Sequence, residues 1–176
     1  MKNIELEEYS YEQKLESEPK TMSYNAGYKV MYNGYHYDTG CIDFPKEKWQ
    51  EVQNRRIKEN RYFAYIKDKD LNKYVGYVNY QYDKDEDIYA CGILIEDKYR
   101  GKGYSKPALK LLIKEANKNN IKYLYDTFEK SREKALKLFL DVGFEIYEKT
   151  TANKFNKEVE CVIIRIDTNK ITNNTD

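Results

Sequence analysis

Residues that cross-link chains or bind metals are scarce in this sequence. Its 176 residues include three cysteines, Cys41, Cys91 and Cys161, and one histidine, His36. The odd count, the wide spacing and the lack of a CxxC pair argue against a disulfide framework, and Cys91 and Cys161 lie in apolar runs typical of core thiols. A single histidine argues against a zinc site and against a nucleophile activated by a histidine base. We therefore expect no metal ion and a reducing environment.

A surplus of charge of one sign and a long apolar run are also missing. The chain has 31 basic and 30 acidic residues, so no global field attracts it to nucleic acid or anionic lipid. No apolar run is long enough to span a bilayer, and the acidic start MKNIELEEYS lacks the apolar region of a signal peptide. These absences predict a cytoplasmic protein that binds neither nucleic acid nor membranes.

Tyrosine, by contrast, is abundant, with 19 residues. Tyrosines can stack on nucleic-acid bases, but such binding needs a basic surplus that this chain does not have. We therefore interpret most of them as residues of half-buried strand faces. The balance of 40% hydrophobic and 35% charged residues is typical of one globular domain.

The pattern of apolar residues predicts a mixed α/β (α+β) domain. YSYEQKLES predicts a short helix, and Pro45 begins a second through EKWQEVQNRRIKEN. Strands are predicted in RYFAYIK, KYVGYVNYQY, IYACGILIE and IKYLYDTF, and a final hairpin in FEIYEK and VECVIIRI. Because both alternating faces of IYACGILIE are apolar, this strand is expected in the middle of a sheet covered on both sides.

Two amphipathic helices are predicted in the second half of the chain. One follows the glycines, with a buried stripe of Ala108, Leu109, Leu112 and Ala116. The other is SREKALKLFLDV, for which we expect Ser131 as N-cap and Gly143 just past the end. The sheet should therefore start as an antiparallel meander and finish with strand–helix–strand crossovers.

The stretch YRGKGYS, residues 99–105, joins a buried strand to the first of these helices. The first N–H groups of a helix have no partner within it and carry the positive end of its dipole. Gly101 and Gly103 remove side chains from the backbone, and Arg100 and Lys102 add positive charge. The stretch therefore predicts a phosphate-binding turn, although neither GxxxxGK[ST] nor GxGxxG is present.

YRGKGYS resembles the acyl-CoA pyrophosphate loop of the GNAT acetyltransferases, whose pattern is Q/R-x-x-G-x-G/A. Arg100 and Gly103 match, and Ser105 replaces the usual glycine or alanine with another small residue. ALKLFLDVGFE is similar to the second signature of that family, a helix that ends in Gly-Phe. The resemblance covers about Arg61 to Ile166 and identifies the chain as a bacterial-type member. It implies a mixed, mostly antiparallel twisted sheet with helices on both faces.

The resemblance also implies a cleft for acetyl-CoA between two splayed parallel strands, CGILIE and YLYDTF. The pantetheine arm of the cofactor would pair with the first of these strands, and a backbone N–H near Ile95 would stabilise the oxyanion. The positions implied to contact the cofactor are Ile93, Leu94, Ile95, Arg100, Gly101, Lys102, Gly103, Tyr104, Ser105, Arg132 and Phe139.

Three residues are candidates for the general base. Glu96 and Asp126 end the two cleft strands and are carboxylates, which can also be merely solvated, and Tyr89 is the third candidate. Phe139 occupies the position where many family members carry a tyrosine acid. A thiolate can leave without a full proton, or another tyrosine, such as Tyr125 or Tyr147, could replace the acid. Arg132 stands where many members have asparagine, and we expect it to bind the phosphates of the cofactor or to be solvated.

These implications predict an enzyme that transfers an acetyl group from acetyl-CoA to a primary amine by direct attack in a ternary complex. The alternative is a non-catalytic acyl-CoA binding or sensing module. We expect residues 1–60 to form the acceptor side, 61–166 the acyl-CoA core and 167–176 a flexible tail. Small metabolites, polyamines, antibiotics and protein amines are all open as acceptors, and both monomer and homodimer remain possible. The tyrosines of residues 21–38 either hold a cationic amine by cation–π contact or pack the domain.

Overall fold

The computed structural model describes residues 4–29 and 32–172. The helices are α1 Tyr9–Glu16, α2 Pro19–Met22, α3 Trp49–Lys58, α4 Ser105–Lys118, α5 Glu133–Val142 and α6 Asn169–Thr172. The strands are β1 Tyr62–Asp68, β2 Lys73–Asp83, β3 Ile88–Ile95, β4 Tyr123–Glu129, β5 Glu145–Lys154 and β6 Lys157–Asp167. All six predicted strands and the four predicted helices are therefore confirmed.

The six strands form one sheet in the order β1-β2-β3-β4-β6-β5. All neighbours are antiparallel except β3 and β4, which are parallel and register at a single pair, Ala90 with Tyr125. Beyond that pair the two strands separate toward their carboxyl ends. The mixed, mostly antiparallel sheet with one splayed parallel pair is confirmed, and β3 lies at its centre.

The two sheet faces carry different helices. Alternate residues of the central strands, such as Cys91 and Leu124, pack with α4 and α5 in the main core, and we call this side the front face. Residues of opposite parity, such as Tyr77 and Leu94, pack with Leu15 of α1 and with α2, and we call this side the back face. The predicted stripe of α4 is buried in the main core. Helices on both faces are thus confirmed.

The start of α5 differs from the expectation. The helix begins at Glu133 after Arg132, and the hydroxyl of Ser131 donates to Glu129 Oε2 at 3.3 Å instead of capping the helix. Ser131 was therefore the wrong N-cap, because the acceptor in the preceding strand is within reach of its short side chain. The end is as predicted, with Gly143 at φ 121°.

Part of the segment 167–176 packs against the body of the domain. The buried hydroxyl of Thr168 donates to the carbonyl of Ile121 at 2.6 Å, and α6 follows directly. Residues 173–176, the rest of the predicted flexible tail, lie outside the described residues. Within 4–29 and 32–172, no helix has the length and apolar character needed to cross a bilayer, and no cluster of three His, Cys, Asp or Glu could hold a metal ion.

Candidate active site

A cleft of about 1180 Å³ opens where β3 and β4 separate. Ile93 and Phe128 line it from the front face, and Tyr77 belongs to the back face. The cleft therefore passes through the sheet, so two ligands entering from opposite faces can meet in the gap.

The predicted phosphate turn lies at one end of the cleft, with Gly101 and Gly103 in its lining. Their φ angles are 73° and 86°, in the left-handed region that favours glycine. A Cβ added to either would meet no atom within 4 Å, so the space above the turn is open. In the part of the chain that the structure describes, no acceptor is found for the N–H groups of Gly101, Lys102, Gly103 or Ser105. This geometry is suited to binding an anion, and we call the turn at the start of α4 the anion cradle.

The side chains of this turn, unlike its backbone N–H groups, contact other parts of the protein. Arg100 lines the cleft, but its guanidinium donates to the carbonyls of Ile95, at 3.1 Å, and Thr21, at 2.7 Å. Lys102 is exposed, 5.5 Å from the ring of Tyr99, and the hydroxyl of Tyr104 donates to Asp68 at 2.6 Å. Lys102 and Tyr104 are not part of the cleft lining. The turn therefore presents mainly its backbone to the cleft.

Asp126 of β4 is a half-buried carboxyl in the cleft lining. Burial raises its pKa to about 7, while the N–H of Thr127, which donates to its Oδ1 at 2.8 Å, and the charge of Arg132 act in the opposite direction. A carboxyl with that pKa exchanges its proton near neutral pH.

The other two candidates for the base do not line the cleft. Glu96 is buried, and its carboxylate binds Lys14 at 2.8 Å, Lys98 at 3.1 Å and the hydroxyl of Tyr11 at 3.2 Å. Burial would raise the pKa of Glu96, but the two lysines outweigh it and hold the pKa below its usual value. This carboxylate therefore connects β3 to α1.

Tyr89 lies on the hairpin of β2 and β3, beside the rings of Tyr80 and Tyr82. It is not among the lining residues. Tyr125 and Tyr147, the proposed substitutes for the missing acid, contact each other with ring centroids 5.7 Å apart and also lie outside the lining.

Arg132 and Phe139, both from the second signature, line the cleft. The guanidinium of Arg132 lies 5.2 Å from the ring centroid of Tyr24 and 5.3 Å from that of Phe128. Phe139 is only 2% exposed, and its ring packs against Phe128 and Phe144. Phe139 therefore belongs to the main core and also borders the cleft.

Some further lining residues come from a segment predicted by its composition, and others were not predicted from the sequence. Tyr24 and Tyr28 come from the tyrosine-rich segment before β1, and burial raises the pKa of the Tyr24 phenol to about 12. Glu129 accepts from the hydroxyl of Tyr28 and binds Lys154 at 2.7 Å. The tyrosine-rich composition predicted the first segment. Glu129 and Lys154 carry no local signal, because their strands, β4 and β5, are brought near each other only by β6, which pairs with both.

The fold and sequence can be compared with known proteins. Residues 28–144 match the model of the "Acetyltransferase (GNAT) family". A spermidine N-acetyltransferase from Vibrio cholerae, solved with CoA and spermine, has a TM-score of 0.76 at 15% identity, over 97% of this chain and 96% of that one.

Two further structures show the same fold. A ribosomal-protein-alanine N-acetyltransferase from Brucella melitensis gives a TM-score of 0.72 at 13% identity, over 94% of this chain and 98% of that one. An N-acetyltransferase from Staphylococcus aureus gives 0.71 at 14% identity, over 95% and 96%. A comparison with curated proteins found no match.

Proposed function

This chain belongs to the GNAT family of acetyltransferases, and we propose that it transfers an acetyl group from acetyl-CoA to a primary amine in a ternary complex. The observation that carries the proposal is the set of unpaired N–H groups of the glycine turn, which opens on the gap between β3 and β4. A pyrophosphate bound there would accept those N–H groups and meet the positive end of the α4 dipole.

The gap between the strands suits the rest of the cofactor. After Ala90, β3 and β4 no longer pair in the described structure, so the backbone groups of β3 near Ile93 and Ile95 can bind the pantetheine arm. An N–H in this stretch is also our candidate donor to the oxyanion that forms when the amine attacks the thioester. We assign residues 61–166 to this cofactor side and residues 1–60 to the acceptor side.

Asp126 is our candidate for the general base. It is the carboxyl in the gap whose pKa, about 7, suits the removal of a proton from an ammonium ion at neutral pH. Glu96 is kept from this role by its ion pairs with Lys14 and Lys98. In the transfer, the amine nitrogen bonds to the acetyl carbon, the C–S bond breaks and the thiolate leaves.

Tyr24 is our candidate to assist the leaving thiolate, since Phe139 has no proton to donate. Its phenol lines the cleft, and a pKa of about 12 keeps it protonated at neutral pH. It can therefore donate a hydrogen bond to the sulfur. Tyr28 is less suitable because its hydroxyl already donates to Glu129.

Two measurements on the purified protein test the proposal. Isothermal titration with CoA tests the cofactor site, and release of free thiol from acetyl-CoA with a panel of amines tests turnover. Binding of CoA together with thiol release that depends on an amine and is lost in Asp126→Asn supports the enzyme. CoA binding without release on any amine would indicate the acyl-CoA sensing module instead, and no CoA binding would contradict both.

A further inference from the structure

We propose that Arg132 binds an anionic group of the acceptor, so that the substrate is an amine that also carries a carboxylate, such as an amino acid, and not a polycation. This inference rests on the proposed function and specifies its acceptor. The product would keep the carboxylate and gain an N-acetyl group, with CoA released as the thiol.

The surroundings of Arg132 leave its donors free while holding its position. Its guanidinium lies near the rings of Tyr24 and Phe128, at 5.2 and 5.3 Å from their centroids. Throughout residues 4–29 and 32–172, no carboxylate forms an ion pair with it, and no hydrogen bond from its guanidinium to the protein is found. Cation–π contacts with the two rings leave the N–H groups of the guanidinium available, and these match a carboxylate in a bidentate arrangement.

The position of Arg132 favours the acceptor over the cofactor phosphates. The anion cradle is formed by the turn before α4, whereas Arg132 belongs to a different element and directly precedes α5. Its partner Tyr24 belongs to the back-face segment, and its partner Phe128 belongs to the front-face core. Arg132 therefore lies where the two faces meet, beside Asp126, whose pKa its charge lowers in part. An amine held at Asp126 would place a nearby carboxylate within reach of Arg132.

The remaining charges of the cleft do not favour a polycation. The rings of Tyr24 and Tyr28 each already have a cation of the chain over them, Arg132 and Lys154. Glu129 is neutralised by Lys154 at 2.7 Å. Five basic residues line the cleft against two acidic ones, which leaves Asp126 as the lining carboxyl without a lysine partner. A second ammonium group would find no free anion in this lining.

Matched pairs of acceptors test the proposal. We compare glycine with glycinamide, β-alanine with β-alaninamide, and both pairs with spermidine, by kcat/KM in the thiol-release assay. In each pair the amine is retained and only the carboxylate is removed. The wild-type protein should prefer the acids, and Arg132→Gln should reduce the acid-to-amide ratio by about tenfold or more, since a charge-assisted bidentate contact is lost. Using the ratio between variants cancels the different basicities of the amines.

Two variants and a binding measurement complete the design. Arg132→Lys, which keeps the charge but not the planar guanidinium, should restore part of the ratio. Lys110→Gln, at an exposed position of α4 outside the cleft lining, should leave it unchanged. Isothermal titration of glycine and glycinamide into the CoA complex gives a second readout that does not require turnover. Preferential binding of glycine that is lost in Arg132→Gln supports the inference even if no acetyl transfer occurs, in which case only the proposed function fails.

Three results would overturn the inference. The first is a higher kcat/KM for spermidine than for any carboxylate-bearing amine. The second is an acid-to-amide ratio that does not change in Arg132→Gln. The third is weaker CoA binding by Arg132→Gln, by about tenfold, with that ratio unchanged, which would assign the guanidinium to the cofactor.

Discussion

The guanidinium of Arg100 donates a 2.7 Å hydrogen bond to the backbone carbonyl of Thr21, next to the end of helix α2. The same side chain reaches the carbonyls of Lys20 and Ile95, at 3.2 and 3.1 Å, and the N–H of Asp97 donates to the hydroxyl of Thr21 at 3.1 Å. These bonds join the end of β3 to the segment that leads into Tyr24. The cofactor turn and the back-face side of the cleft are therefore held as one unit.

We expect Arg100→Lys to loosen this unit. Lysine keeps the charge but cannot reach three carbonyls with one planar group, so the free energy of unfolding should fall by about 1–3 kcal/mol. The KM values for acetyl-CoA and for the acceptor should both rise, because both sides of the cleft lose a shared support. Thermal unfolding and steady-state kinetics measure this. If the lysine variant behaves as wild type while Arg100→Gln does not, the charge matters and the three-way bonding does not.

The glycine turn should bind CoA through its backbone more than through its side chains. Gly103→Val places a branched side chain at a φ of 86°, so the turn is expected to leave its anion-binding conformation and CoA affinity to fall by about tenfold or more. Lys102→Ala, which removes an exposed charge from the same turn, should cost less. Isothermal titration with CoA compares them, and an equal or larger loss for the lysine variant would show that charge dominates.

Asp126 should make both activity and stability depend on pH. Its pKa in the folded protein, about 7, lies above its ordinary value of 3.8, so folding favours the protonated carboxyl. The associated stabilisation is complete below about pH 4 and is lost as the pH rises through about 7. Asp126→Asn lacks this titrating group and should not show the loss. The melting temperature of the variant relative to that of the wild type should therefore be higher at pH 8 than at pH 5. Its kcat/KM should fall by about 10²- to 10⁴-fold if Asp126 is the base.

The exposed aspartate Asp38 offers a matched control for this experiment. Asp38→Asn should leave the kinetics as in wild type, because this side chain is exposed and does not line the cleft. A stability difference between Asp126→Asn and wild type that does not vary with pH would contradict the raised pKa. Full activity of Asp126→Asn would remove it from the reaction.

Glu96 should contribute to the stability of the fold and not to catalysis. Glu96→Gln removes the charge that pairs with Lys14 and Lys98, and the free energy of unfolding should fall by about 1–2 kcal/mol because both lysines can turn to water. Since its pKa is lowered in the folded protein, this contribution is present above its ordinary value of 4.5 and lost as the pH falls through the folded value. Thermal unfolding at pH 7 should show the loss with kcat within about threefold of wild type. A collapse of kcat at unchanged stability would return Glu96 to the list of candidate bases.

Phe139→Tyr should destabilise the protein. Phe139 is 2% exposed between Phe128 and Phe144, so the added hydroxyl would lack a partner and cost about 1–3 kcal/mol. The melting temperature should fall by roughly 2–4 °C for each kcal/mol in a chain of this size. Leu140→Gln, at an exposed position of the same helix, is the control and should change little. An unchanged melting temperature with a raised kcat would mean that the hydroxyl reaches the cleft and acts as an acid.

Local patterns were sufficient to predict the elements of this fold and the glycine turn before α4. The turn is formed by Arg100 to Ser105, which are neighbours in sequence. Its glycines and the start of the following helix can therefore be recognised from the sequence alone. The buried stripe of α4 and the apolar run of β3 likewise depend only on periodicity, which burial in a helix or a strand imposes directly. The resemblance to acetyltransferases could be recognised because its two signatures are also local.

Local sequence patterns could not decide whether Glu96 or Asp126 is the better candidate for the general base. In the sequence both carboxylates follow an apolar run, and the structure places Asp126 within β4 and not at its end. Lys14, 82 residues from Glu96, helps to lower the pKa of that carboxylate, whereas burial raises the pKa of Asp126, with which no lysine of the described residues forms an ion pair. The pairs Tyr28 with Glu129 and Tyr24 with Arg132 form in the same way, because segments from the two halves of the chain meet at one cleft. Burial and Coulomb interactions depend on distances between groups in space, and these distances are fixed only when the strands assemble into the sheet.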